Sequence, residues 1–123
     1  MRILLLLVFG AVGTLARYGL QGVVQRWTGA GFPSGTLAVN LLGSFLVGVA
    51  GQYSLNHLSV PPEWRIAITI GFLGAFTTFS ALGWETVHML EEGDWARGAV
   101  YIGGSLVGGL LAVMRGIRLA NAV

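Results

Sequence analysis

Residues 71–80 read GFLGAFTTFS. They lie inside an apolar run that begins near Trp64 and continues past Leu82. Gly71 and Gly74 weaken a helix, each by about 1 kcal/mol relative to alanine. The hydroxyls of Thr77, Thr78 and Ser80 offer the backbone other partners than its own ladder. Two local structures satisfy these residues. One is an unbroken helix whose hydroxyls bond back to the carbonyl four residues earlier. The other is a break that frees carbonyls, which at bilayer depth is tolerated only where protein or an ion satisfies them. Freed carbonyls of that kind suit Na⁺, as in discontinuous transporter helices.

The surrounding chain has 123 residues, enough for one domain. Hydrophobic residues make up 54% and charged residues 10%, against roughly 25% charged in soluble domains. Mean hydropathy is +0.76. This is the composition of an integral membrane protein. The net charge of +2 is not a nucleic-acid signal, because the basic residues are scattered arginines without a basic run. They read as helix-end anchors and topology signals. Without cysteine, disulfides and thiolate metal sites are excluded.

A membrane-spanning helix needs about 20 apolar residues, and four segments qualify: 3–24, 33–53, 64–89 and 96–113. Pro61 and Pro62 stop the chain before the third. Trp27, Trp64 and Trp95 fall at segment ends, where interfacial aromatics sit. The opening MRILLLLVFGAVG has the look of a signal peptide, but its apolar character continues and three like segments follow, so an uncleaved first helix is expected. Glycines punctuate the segments, and Gly104 and Gly108 form a small-xxx-small pair suited to close helix packing. So little lies outside the bilayer that function is expected within it: transport, conduction or assembly. Four short helices leave little room for an internal path, so an oligomer, most simply a dimer, is expected. Arg2, Arg65, Arg115 and Arg118 share one side; Arg26 and Arg97 take the other, with Arg17 further inside the first helix. The bias leans weakly to cytoplasmic termini, as in a chain inserted both ways.

Polar residues inside the segments carry the functional signal. Arg17, in GTLARYG, either snorkels to the interface or lies at a pore mouth, where a fixed arginine favours anions. Asn40 has two readings, an interhelical hydrogen bond or a donor facing a permeating anion. Tyr101 and Ser105, four apart, share a helix face.

Three stretches in this order, GAVGTLARY (10–18), GTLAVNLLGSFLVG (35–48) and GFLGAFTTFSAL (71–82), closely resemble the Fluc (CrcB) family of microbial fluoride channels, and the likeness covers the whole chain. The resemblance implies an all-α membrane fold with four transmembrane helices per subunit, the third broken mid-membrane, in an antiparallel dual-topology dimer. It implies two pores that export fluoride passively across the inner (plasma) membrane. It implies a Na⁺ at the dimer interface, held here by the backbone carbonyls of Gly74 and Thr77. Asn40, Phe79, Ser80, Tyr101 and Ser105 would line the fluoride path. Arg17 would match the arginine of the first-helix motif at a vestibule, and Glu85 the acidic residue near it.

The chain departs from the family pattern at Leu82, where a second phenylalanine is frequent, and at Ala81, where a hydroxyl is usual. Gly109 and Val113 interrupt the polar track. A heteromeric channel with a second family member is therefore the main alternative to a homodimer. A small multidrug-type exporter is a further one, but it needs an intramembrane carboxylate for proton exchange, and only Glu85 is a candidate. Nothing resembles an enzyme: there is no histidine–carboxylate cluster and no nucleophile motif.

Overall fold

The computed structural model describes residues 1–123. It is all-helical, and four stretches are long and apolar enough to cross a membrane: Arg2–Thr28, Ser34–Asn56, Pro62–Glu91 and Trp95–Ala122. We label Arg2–Thr28 α1, Ser34–Asn56 α2 and Trp95–Ala122 α5. The third stretch holds two helices, α3 (62–76) and α4 (Phe79–Glu91). The architecture is that of a multi-pass membrane protein. Pro62 opens α3 at its first position, where a missing N–H costs nothing. Gly29 and Gly93 turn the chain after α1 and α4 with φ of 85° and 81°, the left-handed region glycine enters without strain.

The expected end of the last helix at Val113 is corrected: α5 runs to Ala122. Arg115 and Arg118 mark the end of the apolar stretch but not of the helix. Both project outward, while Gly116 and Ala120 on the other face stay buried. The side-chain amide of Asn56 donates to Asn121 Oδ1 at 2.8 Å, joining the ends of α2 and α5.

The α2–α5 pair packs along its length. A Cβ at Gly48 would strike the Val113 carbonyl, and one at Gly116 would strike the Phe45 carbonyl. These two glycines let the backbones touch. Gly104 has open space beside it, and Gly108 meets only the Leu41 side chain. The pair expected to close the helices is therefore not the pair that does. The rotation of α5 turns Gly104 away from α2.

Most of the remaining apolar surface faces outward. Leu4, Leu7, Val12 and Leu15 on α1, and Leu106, Val107 and Leu110 on α5, are all exposed. A side chain costs nothing there if its neighbours are lipid tails or another apolar chain.

Candidate functional site

The third stretch departs from α-geometry twice. Ala67–Leu73 is wound as a π-helix, a form that recurs at functional sites. At Thr77 and Thr78 the backbone becomes extended, with φ, ψ of −96°, 160° and −149°, 107°. The two threonines play different parts. Thr77 Oγ1 donates to the Leu73 carbonyl at 3.1 Å, the i−4 bond of a helical threonine. Thr78 Oγ1 instead accepts from the Ala81 N–H at 3.1 Å and caps α4.

Asn40, on α2, supplies what the helix loses here. Its Oδ1 accepts from the Thr78 N–H at 2.7 Å, and its Nδ2 donates to the Thr78 carbonyl at 3.1 Å. One side-chain amide thus satisfies both polar groups of one peptide residue. In a continuous helix the Thr78 N–H would serve the Gly74 carbonyl. Its diversion to Asn40 leaves that carbonyl without its helical donor. The approach of Thr77 depends on Gly43, where a Cβ would collide with Thr77 Cγ2.

A cavity of about 300 Å³ lies against this junction. Asn40, Ser44, Gly74, Thr77, Thr78 and Ser105 form its polar side, and Phe79 and Leu82 contribute apolar surface. Asn40 Nδ2 keeps one N–H beyond that given to Thr78. Ser105 Oγ is buried with no hydrogen-bond partner in the chain. A buried hydroxyl left unpaired costs about 1–3 kcal/mol. Two donors without a partner in the chain, one Asn40 N–H and the Ser105 hydroxyl, thus belong to residues that line the cavity. Phe79 is 80% exposed and looks outward from the subunit, while Leu82 is buried. Phe76 is buried and stacked on Phe72, and Trp84 lines a different cavity. Neither brings a second ring to Phe79.

One helical turn along α5 from Ser105 stands Tyr101, fully buried. Its hydroxyl donates to Glu85 Oε1 at 3.4 Å. Thr36 Oγ1 donates to the same oxygen at 2.7 Å and accepts from Gln21 Nε2 at 3.0 Å. Three membrane-spanning stretches thus meet at one carboxylate, and α1 joins them through Gln21 and Thr36. The rings of Phe32 and Tyr101 meet in a T-shaped pair, centroids 5.4 Å apart. Beyond Glu85 opens a second, wider cavity of about 760 Å³, lined by Gln21, Trp84, His88, Glu92 and Arg97 among others.

Of the residues singled out in the sequence, Asn40, Phe79, Gly74, Thr77 and Ser105 come together at the smaller cavity. Tyr101 stands between the cavities. Ser80 is exposed, with Oγ 3.3 Å from Thr78 Oγ1. Arg17 is half-buried on α1, and it lines neither cavity. The one salt bridge joins Arg97 to Asp94 at 3.3 Å, so Arg17 has no carboxylate partner. Thr36 and Gln21 were not anticipated. Their only sequence signal is polarity inside an apolar run, which Ser44 and Gln52 share.

Residues 4–117 match the family described as CrcB-like protein, Camphor Resistance (CrcB). The chain belongs to the CrcB family. Relatives of similar length carry the name fluoride-specific ion channel FluC. That of Geobacter metallireducens is 46% identical over 114 residues, covering 93% of this chain and 92% of its own. One from Thermus thermophilus is 45% identical over 122 residues, covering 99% and 97%. The Nitratidesulfovibrio vulgaris relative is 43% identical over 122 residues, covering 99% and 98%. The CrcB family is one of ion channels, and this member is not an enzyme.

Proposed function

We propose that the chain is a fluoride-selective channel that lets fluoride leave the cell passively across the plasma membrane. The observation that carries this reading is the polar line from the wide cavity through Glu85 and Tyr101 to Ser105 and Asn40, in a chain whose relatives bear a fluoride channel's name. Fluoride is small and strongly hydrated, so a path must offer hydrogen-bond donors where water is stripped away. The free Asn40 N–H and the Ser105 hydroxyl supply donors at one end, and the Tyr101 hydroxyl supplies one further along. Phe79 presents a ring whose edge is partly positive, a surface an anion can approach. Ser80, beside Thr78, extends the hydroxyl line. Chloride, larger and needing a wider shell of donors, is excluded by narrowness.

Glu85 holds the hydroxyls of Thr36 and Tyr101. A fluoride passing this point must take those donors from the carboxylate. The same engagement argues against the multidrug-exporter alternative, which needs that carboxylate open to a cationic drug.

In this reading the lapse at Thr77–Thr78 is the mid-membrane break of the third span, and two copies pair antiparallel around it with one path in each half. Gly74 is exposed on the subunit surface and its carbonyl has lost its helical donor. Thr77, extended, turns its own carbonyl out of the ladder. Both fit a hard cation, which takes oxygen ligands. Two carbonyls are too few alone, and a twofold-related copy doubles them. A Na⁺ there would supply positive charge and tie two broken helices together. Arg17, without a carboxylate partner, would draw anions toward a vestibule. The apolar outward faces of α1 and α5 leave ample surface for a second subunit and for lipid.

The test is fluoride efflux from liposomes holding only this purified chain, with chloride as the control ion. Fluoride should leave and chloride should stay. Equal leakage of both would sink the selective-channel reading. Folded protein without fluoride release would sink the homodimer, and rescue by a second family member would establish the heteromer.

A further inference from the structure

Thr28, Thr69, Thr77 and Thr86 each donate the hydroxyl hydrogen to the carbonyl four residues earlier, the usual habit of a helical threonine. A hydroxyl so engaged has no hydrogen left for an ion. Thr36 departs from this habit. Its hydrogen crosses to Glu85 Oε1, 2.7 Å away on α4. Two glutamines one turn apart on α1, Gln21 and Gln25, account for the exception. We propose that Gln21 is a positioning residue of the fluoride path: with Gln25 it holds Thr36 as a donor aimed at Glu85, and so at an anion that arrives there. The inference rests on the channel reading above.

Gln25 closes the ordinary alternative. The carbonyl four residues before Thr36 is that of Phe32, and it accepts from Gln25 Nε2 and from the Ser34 N–H, each at 2.8 Å. A carbonyl has two lone pairs, so no place is left for Thr36. Gln25 is itself anchored, because Nε2 also donates to the Gly29 carbonyl at 2.6 Å and Oε1 accepts from the Gly35 N–H at 3.1 Å. Gln21 then sets the direction. Its Nε2 lies 3.0 Å from Thr36 Oγ1. A carboxylate only accepts, so Thr36 spends its single hydrogen on Glu85, and the hydrogen between Thr36 and Gln21 comes from the amide. Gly35 admits this approach, since a Cβ there would strike the Gln21 carbonyl. Thr36 is buried, so no solvent competes for its hydroxyl.

Both glutamines and Glu85 line the wide cavity. When fluoride replaces the carboxylate as acceptor, the Thr36 hydrogen needs only to turn about the Cβ–Oγ1 bond while Gln21 keeps the oxygen in place. A hydrogen bond received at Oγ1 also polarises the hydroxyl and strengthens the bond it gives. Gln21 thus acts on the ion through Thr36 and need not touch it.

A double-mutant cycle in fluoride efflux from liposomes tests this. Gln21→Met keeps the length of the side chain and removes its N–H, so flux should fall about three- to tenfold. Gln21→Glu should fall further, because its carboxylate draws the Thr36 hydrogen away from Glu85. With Thr36→Val already present, Gln21→Met should change flux by less than about twofold. An equal loss in both backgrounds would make Gln21 a packing residue and overturn the proposal, as would full flux in Gln21→Met. A second readout needs no flux and covers variants that conduct too little to compare. The infrared carboxylate band of Glu85, isolated in detergent as the difference against Glu85→Gln, should shift when the same difference is taken in Gln21→Glu; an unmoved band would overturn the proposal. Wild-type vesicles that release no fluoride would remove the channel reading and this inference together, whereas wild-type flux with Gln21 uncoupled from Thr36 removes only the inference.

Discussion

The α2–α5 seam and the α3–α4 stretch lie side by side, and they solve the membrane's constraint in opposite ways. Along the seam each helix keeps its own ladder and small residues let the two backbones touch at Gly48 and Gly116. In the third stretch the ladder fails at Thr77–Thr78 and a side chain on α2, Asn40, repairs it. The seam needs the absence of side-chain atoms. The junction needs one particular side chain, with a donor and an acceptor on the same planar group. The first is a matter of space and the second of chemistry, so substitutions should separate them.

The largest effect is expected at the seam. Gly116→Leu drives a branched side chain into the Phe45 carbonyl. Overpacking costs about 1–3 kcal/mol even where the contact is only with side chains, and here it is with backbone. The variant should fail to elute as one folded species in detergent, and wild-type elution would show that the seam can open at little cost.

Asn40→Asp comes next and is more informative. The carboxylate still accepts from the Thr78 N–H, so the junction keeps one of its two bonds. It has no N–H to donate and adds negative charge, so fluoride flux should fall more than tenfold, on the order of 2 kcal/mol, the size of effect expected from losing donors and burying like charge. Folded protein with wild-type flux would take Asn40 out of the path and leave it a purely structural clamp.

Ser105→Ala divides function from stability more cleanly. Its Oγ makes no bond in the chain, so the thermal midpoint should hold or rise slightly while flux drops several-fold, about 1 kcal/mol. A destabilised Ser105→Ala with full flux would reverse its assignment. Smallest of all, Arg97→Gln removes the single salt bridge, between half-exposed partners. Such pairs contribute about 0–1 kcal/mol, so the unfolding midpoint should stay within error of wild type.

Much of this was legible in the chain itself. Four apolar runs of helical length, with prolines and tryptophans at their ends, specify four spans, because lipid offers backbone groups no partner and the helix satisfies its own. The polar residues that come together at the smaller cavity are those whose placement in apolar surroundings already needed an explanation. Other features were not legible. The π-wound stretch at Ala67–Leu73 has no residue signature that separates it from an α-helix: Gly71 weakens helix of either kind, and alanine, isoleucine and leucine suit an α-helix as well. Arg115 and Arg118 suggested an end to α5 because a charge in a run resembles a boundary, but a helix can carry charge outward on one face while the other remains packed.

The sequence alone decided how many membrane-spanning stretches there are, and that the third contains residues poorly suited to a continuous ladder. Those outcomes depend on composition and spacing along the chain, which are local quantities. Only the tertiary structure decided which glycines touch, that Asn40 bonds both polar groups of Thr78, and that Gln21, Thr36 and Tyr101 gather around Glu85. These depend on the rotation of each helix about its axis. That rotation is fixed by partners tens of residues away, where a single apolar run offers several nearly equivalent faces and packing chooses among them.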